Sequence, residues 1–297
     1  FIVSENSNAQ LKKVVLPDSL FSTYYHQRVS HFKTLPLTKN DIIFVGNSIS
    51  DGAEWSELFS NSQIKNRGIS GDFSAGVLNR IDEISSRKPK KVFLMIGIND
   101  LPRNTTIDSI FKNTAAIIAH LKQKSPSTKL YIQSVLPVND SYKKFSSHTN
   151  KGEQIKLLNA KLKQNSVAYN YTYIDLNTPF SDTNGKMAKH LSNDGLHLNG
   201  EGYLLWKHIV YPYVFDLEIK PSLLPKPQQL TWNNGYYSIA NPNTIFVENP
   251  TLQKEALLLQ HEMQKKGLRA EITKIKPSQE NSITLKIGIV SSPLLAE

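Results

Sequence analysis

The chain contains no cysteine. That absence excludes disulfides, thiolate zinc sites and a cysteine nucleophile, so covalent chemistry would fall to other side chains. It leaves the compartment open, because many proteins outside the cytoplasm also lack cysteine. Long hydrophobic runs are missing too. No apolar stretch approaches the roughly 20 residues needed to span a bilayer, and membrane insertion is not expected. The N-terminus carries no basic stretch and no small-residue cleavage site. It opens on Phe1 rather than methionine, and the expectation is of a mature chain whose signal has been removed. Basic clusters are scarce despite a net charge of +10. Lys88, Lys90 and Lys91 form the densest group and read as solvated loop charge before a strand. Nucleic-acid binding needs a basic face with aromatics or a known motif, and neither is present. A positive balance can instead favour acidic glycans.

At 297 residues, with 39% hydrophobic and 20% charged residues, the chain suits one or two ordinary globular domains. Strand-like and helix-like runs alternate over most of it. Asp41–Val45, Gln63–Asn66, Lys91–Ile96, Leu130–Gln133 and Tyr173–Leu176 read as strands. The runs at Val92–Ile96 and Ile42–Val45 are unbroken apolar segments, as expected of strands buried on both faces. Between them, helices are predicted at Ala53–Ser60, Ser74–Ser85, Ile107–Lys122 and Gly152–Tyr169, with a last one at Gly200–Val214. Residues 18–34 are expected to form a helix outside this set. Alternating strands and helices imply an α/β fold, a three-layer α/β/α sandwich around a five-stranded parallel sheet.

The composition changes near residue 217. Lys220-Pro-Ser-Leu-Leu-Pro-Lys-Pro227 carries three prolines, which stiffen a link and exclude a helix. The expected division is 1–217, a linker at 218–228, and a small α+β domain at 229–297. In the last part, Gln229–Trp232 and Tyr236–Ile239 flank Asn234-Gly235 as a hairpin. Thr244–Val247, Arg269–Thr273 and Ser282–Ile289 read as strands. Thr251–Lys266 carries Leu252, Ala256, Leu259 and Met263 on one helical stripe.

Four segments bear polar groups at strand ends or in a loop, where parallel strands place ligands. Gly46-Asn47-Ser48 closes the first strand. Ser48 is either a nucleophile or a residue that merely caps the next helix. Ser70-Gly71-Asp72 follows the second strand, and its glycine lets a backbone N–H approach a ligand or simply makes a turn. Gly97-Ile98-Asn99-Asp100 follows the third strand, and its Asn side chain can donate to an oxyanion or start an Asx turn. Asp194-Gly195-Leu196-His197 precedes the final helix. There His197 could take the serine proton while Asp194 holds the imidazole, although an Asp beside a surface His is often structural.

Taken together, in this order over about residues 38–215, the four segments resemble the sequence blocks of the SGNH hydrolases, the GDSL-type esterases and lipases. The family's Ser, Gly, Asn and His correspond to Ser48, Gly71, Asn99 and His197. One departure is Asn47-Ser48-Ile49, where the family often has Asp-Ser-Leu; Asn47 can still bond locally to backbone. The resemblance implies a flavodoxin-like sheet and a catalytic triad of Ser48, His197 and Asp194. It also implies an oxyanion hole of the Ser48 and Gly71 backbone N–H groups and the Asn99 side chain, with no metal or organic cofactor.

The family leaves the ester open. The core resembles the compact platelet-activating-factor acetylhydrolase-like group, whose small acyl pockets favour acetate. The stretch Leu224–Trp232 with Gly235–Ile239 resembles the opening of the small domain that precedes the barrel of family 20 β-hexosaminidases. That pairing implies an O-acetylesterase acting on carbohydrate such as O-acetylated sialic acid or amino sugars of host glycans, in the periplasm or secreted. It also implies a natural chain continuing past Glu297 into a glycosidase domain. Two alternatives are a short-chain lipid or general esterase and a non-catalytic glycan-binding module. Tyr142, Phe145 and His148, in the loop after the fourth strand, either line the cleft or are incidental surface residues.

Overall fold

The computed structural model describes residues 17–217, 243–265, 270–275 and 282–285. The proline-rich link and the Asn-Gly hairpin lie outside the described residues. The chain divides into two compact units, Phe1–Pro221 and Ser222–Glu297.

In the first unit the elements run α1 (Thr23–Thr34), β1 (Ile42–Gly46), α2 (Ser48–Asp51), α3 (Trp55–Leu58), β2 (Ile64–Gly68), α4 (Ser74–Asn79) and α5 (Ile81–Ser86). They continue β3 (Lys91–Met95), α6 (Ile107–Lys124), β4 (Lys129–Gln133), α7 (Ser146–Thr149), α8 (Gly152–Gln164), β5 (Thr172–Ile174), α9 (Asn177–Phe180) and α10 (Gly200–Val214). The five strands pair in the order β2-β1-β3-β4-β5, all parallel. The expected five-stranded α/β/α sandwich is therefore the fold.

Alternation along the strands builds the two outer layers. Ile43, Val45, Val92, Leu94, Leu130 and Ile132 face α4, α5, α6 and α8, which contribute Val77, Ile84, Ile118 and Leu158. Ile42, Phe44, Phe93, Met95 and Tyr131 face the other way, against Trp55 and the α10 residues Trp206, Val210 and Val214. At the centre of that second face three aromatic rings form a ladder in strand register. Phe44 lies 4.7 Å from Phe93, and Phe93 lies 4.5 Å from Tyr131. Trp55 closes the stack on Phe44 at 3.9 Å.

Strand order sets where the site can be. From β1 the chain moves outward to β2, then returns across to β3 on the other side of β1. The carboxyl ends of β1 and β3 thus flank the point where strand order reverses, the place where open parallel sheets form a crevice. Ser48 follows β1 and Asn99 follows β3.

Two expectations need correction. The single helix predicted for Ser74–Ser85 is broken at Arg80, between α4 and α5. The buried Arg80 guanidinium bonds to the Asp72 carboxylate (2.8 Å) and the Arg67 carbonyl (2.9 Å), and these tertiary bonds override the helical pattern. Lys91 is not solvated loop charge. It is fully buried, and its ammonium donates to the Tyr213 and Val214 carbonyls at the end of α10 (2.6 and 2.7 Å), with Asp216 at 2.9 Å. The unpaired carbonyls of a helix C-terminus favour a cation there. The smaller differences lie at ends: α3 spans only Trp55–Leu58, and α8 stops at Gln164.

In the second unit, β6 (Asn243–Val247), β7 (Ala270–Thr273) and β8 (Ser282–Leu285) form a parallel sheet in the order β7-β6-β8, with α11 (Gln253–Lys265) between β6 and β7 in sequence. Ala256 and Met263 of α11 pack on Ile245 and Val247, as the apolar stripe predicts.

The aromatic ladder carries a direct stability test. Phe93 is fully buried, and Phe93→Ala should lower the unfolding free energy of the first unit by about 3–5 kcal/mol in urea denaturation. A loss below about 1 kcal/mol would show that the ladder contributes little.

Candidate active site

Ser48 begins α2 immediately after β1. A serine at this place would ordinarily cap the helix, but Asn47 takes that role. Its side-chain oxygen accepts the Ile49 N–H at 3.0 Å, and the residue is buried. The departure from Asp at this position therefore leaves the turn intact. Ser48 Oγ is free to point elsewhere, and it lies 3.0 Å from His197 Nε2.

His197 and Asp194 share the loop before α10. His197 Nδ1 lies 2.8 Å from Asp194 Oδ2. A carboxylate can only accept, so Nδ1 carries the proton and Nε2 is left to accept from the serine hydroxyl. The other Asp194 oxygen accepts the backbone N–H groups of Leu196 (2.8 Å) and His197 (2.7 Å). Burial pushes the Asp194 carboxyl up, but these hydrogen bonds and the imidazole outweigh it and hold the group below its ordinary range. The loop closes tightly at Gly195, where φ is 82° and a Cβ would sit 2.0 Å from the Asn139 carbonyl oxygen. Only glycine fits there.

Gly71 lies in the turn after β2, closed by Asp72 N–H donating to the Ile69 carbonyl at 3.0 Å. Its φ is 81°, and a Cβ there would meet nothing within 4 Å. Backbone conformation, not crowding, selects the residue. The Asp51 carboxylate holds the same turn through the Ser70 N–H (3.1 Å) and hydroxyl (2.9 Å). Among the described residues, the N–H groups of Ser48 and Gly71 have no acceptor. For Ser48 this follows from its place in the first turn of a helix.

Asn99 follows β3. Its side-chain N–H donates to the Asp72 carbonyl at 2.9 Å, which leaves the second N–H of the amide unused, and its oxygen lies 3.1 Å from His148 Nε2. The structure therefore brings Ser48, His197 and Asp194 into one hydrogen-bonded chain. It ties Asn99 to the residue that follows Gly71. Of the three loop residues, Phe145 lies edge-on to the His197 ring at 5.0 Å, and His148 reaches Asn99. Tyr142 is turned to other work, donating to the Ser192 and Lys189 carbonyls (2.9 and 3.1 Å) and so fastening this loop to the one that carries Asp194.

Three supporting carboxylates were not singled out by the sequence. Asp51 holds the Gly71 turn, Asp72 pairs with Arg80, and Asp100 is fully buried against Ser74. Asp72 and Asp100 lie inside the motif segments, which is the only local sign of them. Asp100 accepts both the backbone N–H and the hydroxyl of Ser74 at the start of α4, and so couples the third segment to the second.

A serine, imidazole and carboxylate in hydrogen-bonding sequence, at the switch point of a parallel sheet, define a hydrolase of the serine-triad type. A model of the GDSL-like lipase/acylhydrolase family matches residues 44–205, more than half of the chain, and the chain belongs to that family. It is a carboxylic ester hydrolase by class. A relative, platelet-activating factor acetylhydrolase IB subunit alpha2 of Rattus norvegicus, is 28% identical over 169 residues, 55% of this chain and 71% of that protein. Among solved structures, a Streptococcus pneumonia protein named after platelet activating factor is 26% identical with a TM-score of 0.59. It covers 64% of this chain and 92% of its own. A GDSL-like lipase from Bacteroides thetaiotaomicron shares the fold at 24% identity and a TM-score of 0.57, over 65% of this chain and 97% of its own.

Burial is the main reason the Asp100 carboxyl is pushed up to about 6; hydrogen bonds from Ser74 oppose it. An ordinary Asp titrates near 3.9, so the folded state holds the extra proton between about pH 4 and pH 6. Stability from this group therefore falls as pH rises through that window. Urea unfolding of wild type and Asp100→Asn from pH 4 to pH 7 should show wild type losing ground to the variant by on the order of 2 kcal/mol. A difference that stays constant with pH would refute this.

Proposed function

We propose that the chain removes O-acetyl groups from carbohydrate through an acyl-enzyme on Ser48. The observation that carries the reading is the chain of contacts from Ser48 through His197 to Asp194, set beside donors that have no protein acceptor. In this reading Ser48 Oγ attacks the ester carbonyl carbon while His197 Nε2 takes its proton. Asp194, held ionised, keeps the imidazole in the productive tautomer and stabilises its cation. The Ser48 and Gly71 N–H groups and the free Asn99 N–H receive the developing oxyanion. His197 then protonates the leaving alcohol, and water repeats the cycle on the acetyl-enzyme. The residues invoked need no metal or organic cofactor for any of these steps.

The acetyl group is supported by the acetylhydrolase name of the 28% identical relative. Carbohydrate is supported by two features. Phe145 is about half exposed beside the His197 ring, on the imidazole that would hand a proton to the leaving group, and offers an aromatic face to a sugar ring. The segment Leu224–Ile239 resembles the domain that leads into family 20 β-hexosaminidases, which would join deacetylation to glycosidic cleavage of the same glycan. O-acetylated sialic acids and amino sugars of host glycans are the substrates this pairing suits. The periplasm or the cell exterior is the matching location. A short-chain lipid ester is the second reading, favoured by the relatives' names.

Acetate release tests both. Wild type and Ser48→Ala are incubated with O-acetylated sialic acid, O-acetylated amino sugars and an acetylated phospholipid. Acetate should come from the sugars, and the variant should lose activity by at least about 10⁴-fold. Acetate from the phospholipid alone would make the lipid reading the right one. Undiminished release by Ser48→Ala would remove the nucleophile.

A further inference from the structure

Phe145 is a bulky residue held at φ 48° and ψ 43°, a left-handed conformation that is strained for any residue but glycine. Such strain persists only where the surroundings fix it. Here the His148 and Thr149 N–H groups both donate to the Phe145 carbonyl (2.8 and 2.9 Å), and the Thr149 hydroxyl donates to the Lys144 carbonyl at 3.1 Å. The strained turn opens α7 and places two side chains, three residues apart, on the site. Phe145 meets the His197 ring, and His148 meets Asn99.

The chemistry of the second contact is determined. Asn99 Oδ1 can only accept, so His148 Nε2 carries the proton, and Nδ1 is left facing the Ser147 hydroxyl at 3.0 Å. Burial, with His197 nearby, holds the His148 imidazole below its ordinary range and so favours the neutral ring with its proton on Nε2. The Asn99 amide is thus gripped at both ends. Its N–H meets the Asp72 carbonyl and its oxygen meets His148. The Asp72 contact decides which end of the amide is which; the His148 contact holds its plane. A hydrogen bond accepted at the oxygen also polarises the amide and strengthens the N–H that remains.

We propose that His148 is a positioning residue for the oxyanion donor Asn99, supplying through Nε2–H the bond that holds and polarises its amide. The inference rests on the serine-esterase reading of the site. His148 itself touches no reacting atom. Its effect should therefore appear in kcat, where the oxyanion exists, and not in KM, and it should vanish once Asn99 is gone.

The test is the steady-state hydrolysis of an aryl acetate by full-length wild type, His148→Ala, His148→Gln, Asn99→Ala and the His148→Ala/Asn99→Ala double variant. His148→Ala should lower kcat about tenfold, the size expected of one hydrogen bond, with KM within about twofold. Gln can present an N–H at similar reach, and His148→Gln should recover most of that loss. Asn99→Ala should lower kcat on the order of 100-fold or more, and the double variant should match Asn99→Ala alone. The proposal is overturned if His148→Ala leaves kcat unchanged, if Gln rescues nothing, or if the same tenfold loss recurs without Asn99. An Asn99→Ala enzyme with full kcat would overturn the oxyanion assignment as well, which separates the two failures.

Discussion

The site depends on one buried ion pair. Asp72 and Arg80 meet at 2.8 Å with both side chains out of solvent. The guanidinium also reaches the Gly46 and Arg67 carbonyls at the ends of β1 and β2 (3.3 and 2.9 Å). The backbone of Asp72 does the rest. Its N–H closes the turn that presents Gly71, and its carbonyl takes the Asn99 amide from the end of β3. One residue thus links three strand ends. A buried pair of this kind is weak evidence for stability but costly to break from one side, because the surviving charge is left unpaired. Its value here is geometric: Ser48, Gly71 and Asn99, the groups proposed to receive the oxyanion, follow three separate strands and are referred to one point.

The proposed triad is positioned by a different device. Asp194 and His197 are three residues apart, and the carboxylate that orients the ring is itself held by the N–H groups of Leu196 and His197. The loop is anchored through Gly195, whose carbonyl accepts the Asn139 N–H at 2.8 Å, and through Tyr142. The proposed acid and base are therefore aligned largely by backbone bonds. Preorganisation of this sort keeps the reorganisation cost of the chemical step low.

Much of this was legible in the sequence, for physical reasons. The unbroken apolar runs at Ile42–Val45 and Val92–Ile96, bounded by turn residues, read as strands buried on both faces, and they led to the sheet. Two of the polar segments lie where those runs stop, at Ser48 and Asn99, so their convergence follows from parallel topology. What was not legible depends on partners distant in sequence. The pattern Val77, Leu78, Ile81, Ile84 is continuous across Arg80, and nothing local announces that its guanidinium is claimed by Asp72 and Arg67. Lys91 reads as surface charge because its partners lie more than 120 residues later, in the carbonyls at the end of α10. His148 was one of three loop residues of open role. Only the left-handed turn at Phe145 aims it at Asn99, and no spacing in the sequence encodes that turn.

Ser48 Oγ is proposed as the nucleophile, activated by His197. A fluorophosphonate tests it without any assumption about substrate, since attack by an activated serine forms an O–P bond and expels fluoride. The wild-type chain is labelled, digested and mapped by mass spectrometry. About one adduct per chain is expected, on the peptide carrying Ser48, and it should be lost in His197→Ala. An active enzyme whose Ser48 stays unmodified, or an adduct on another serine with loss of activity, would contradict it.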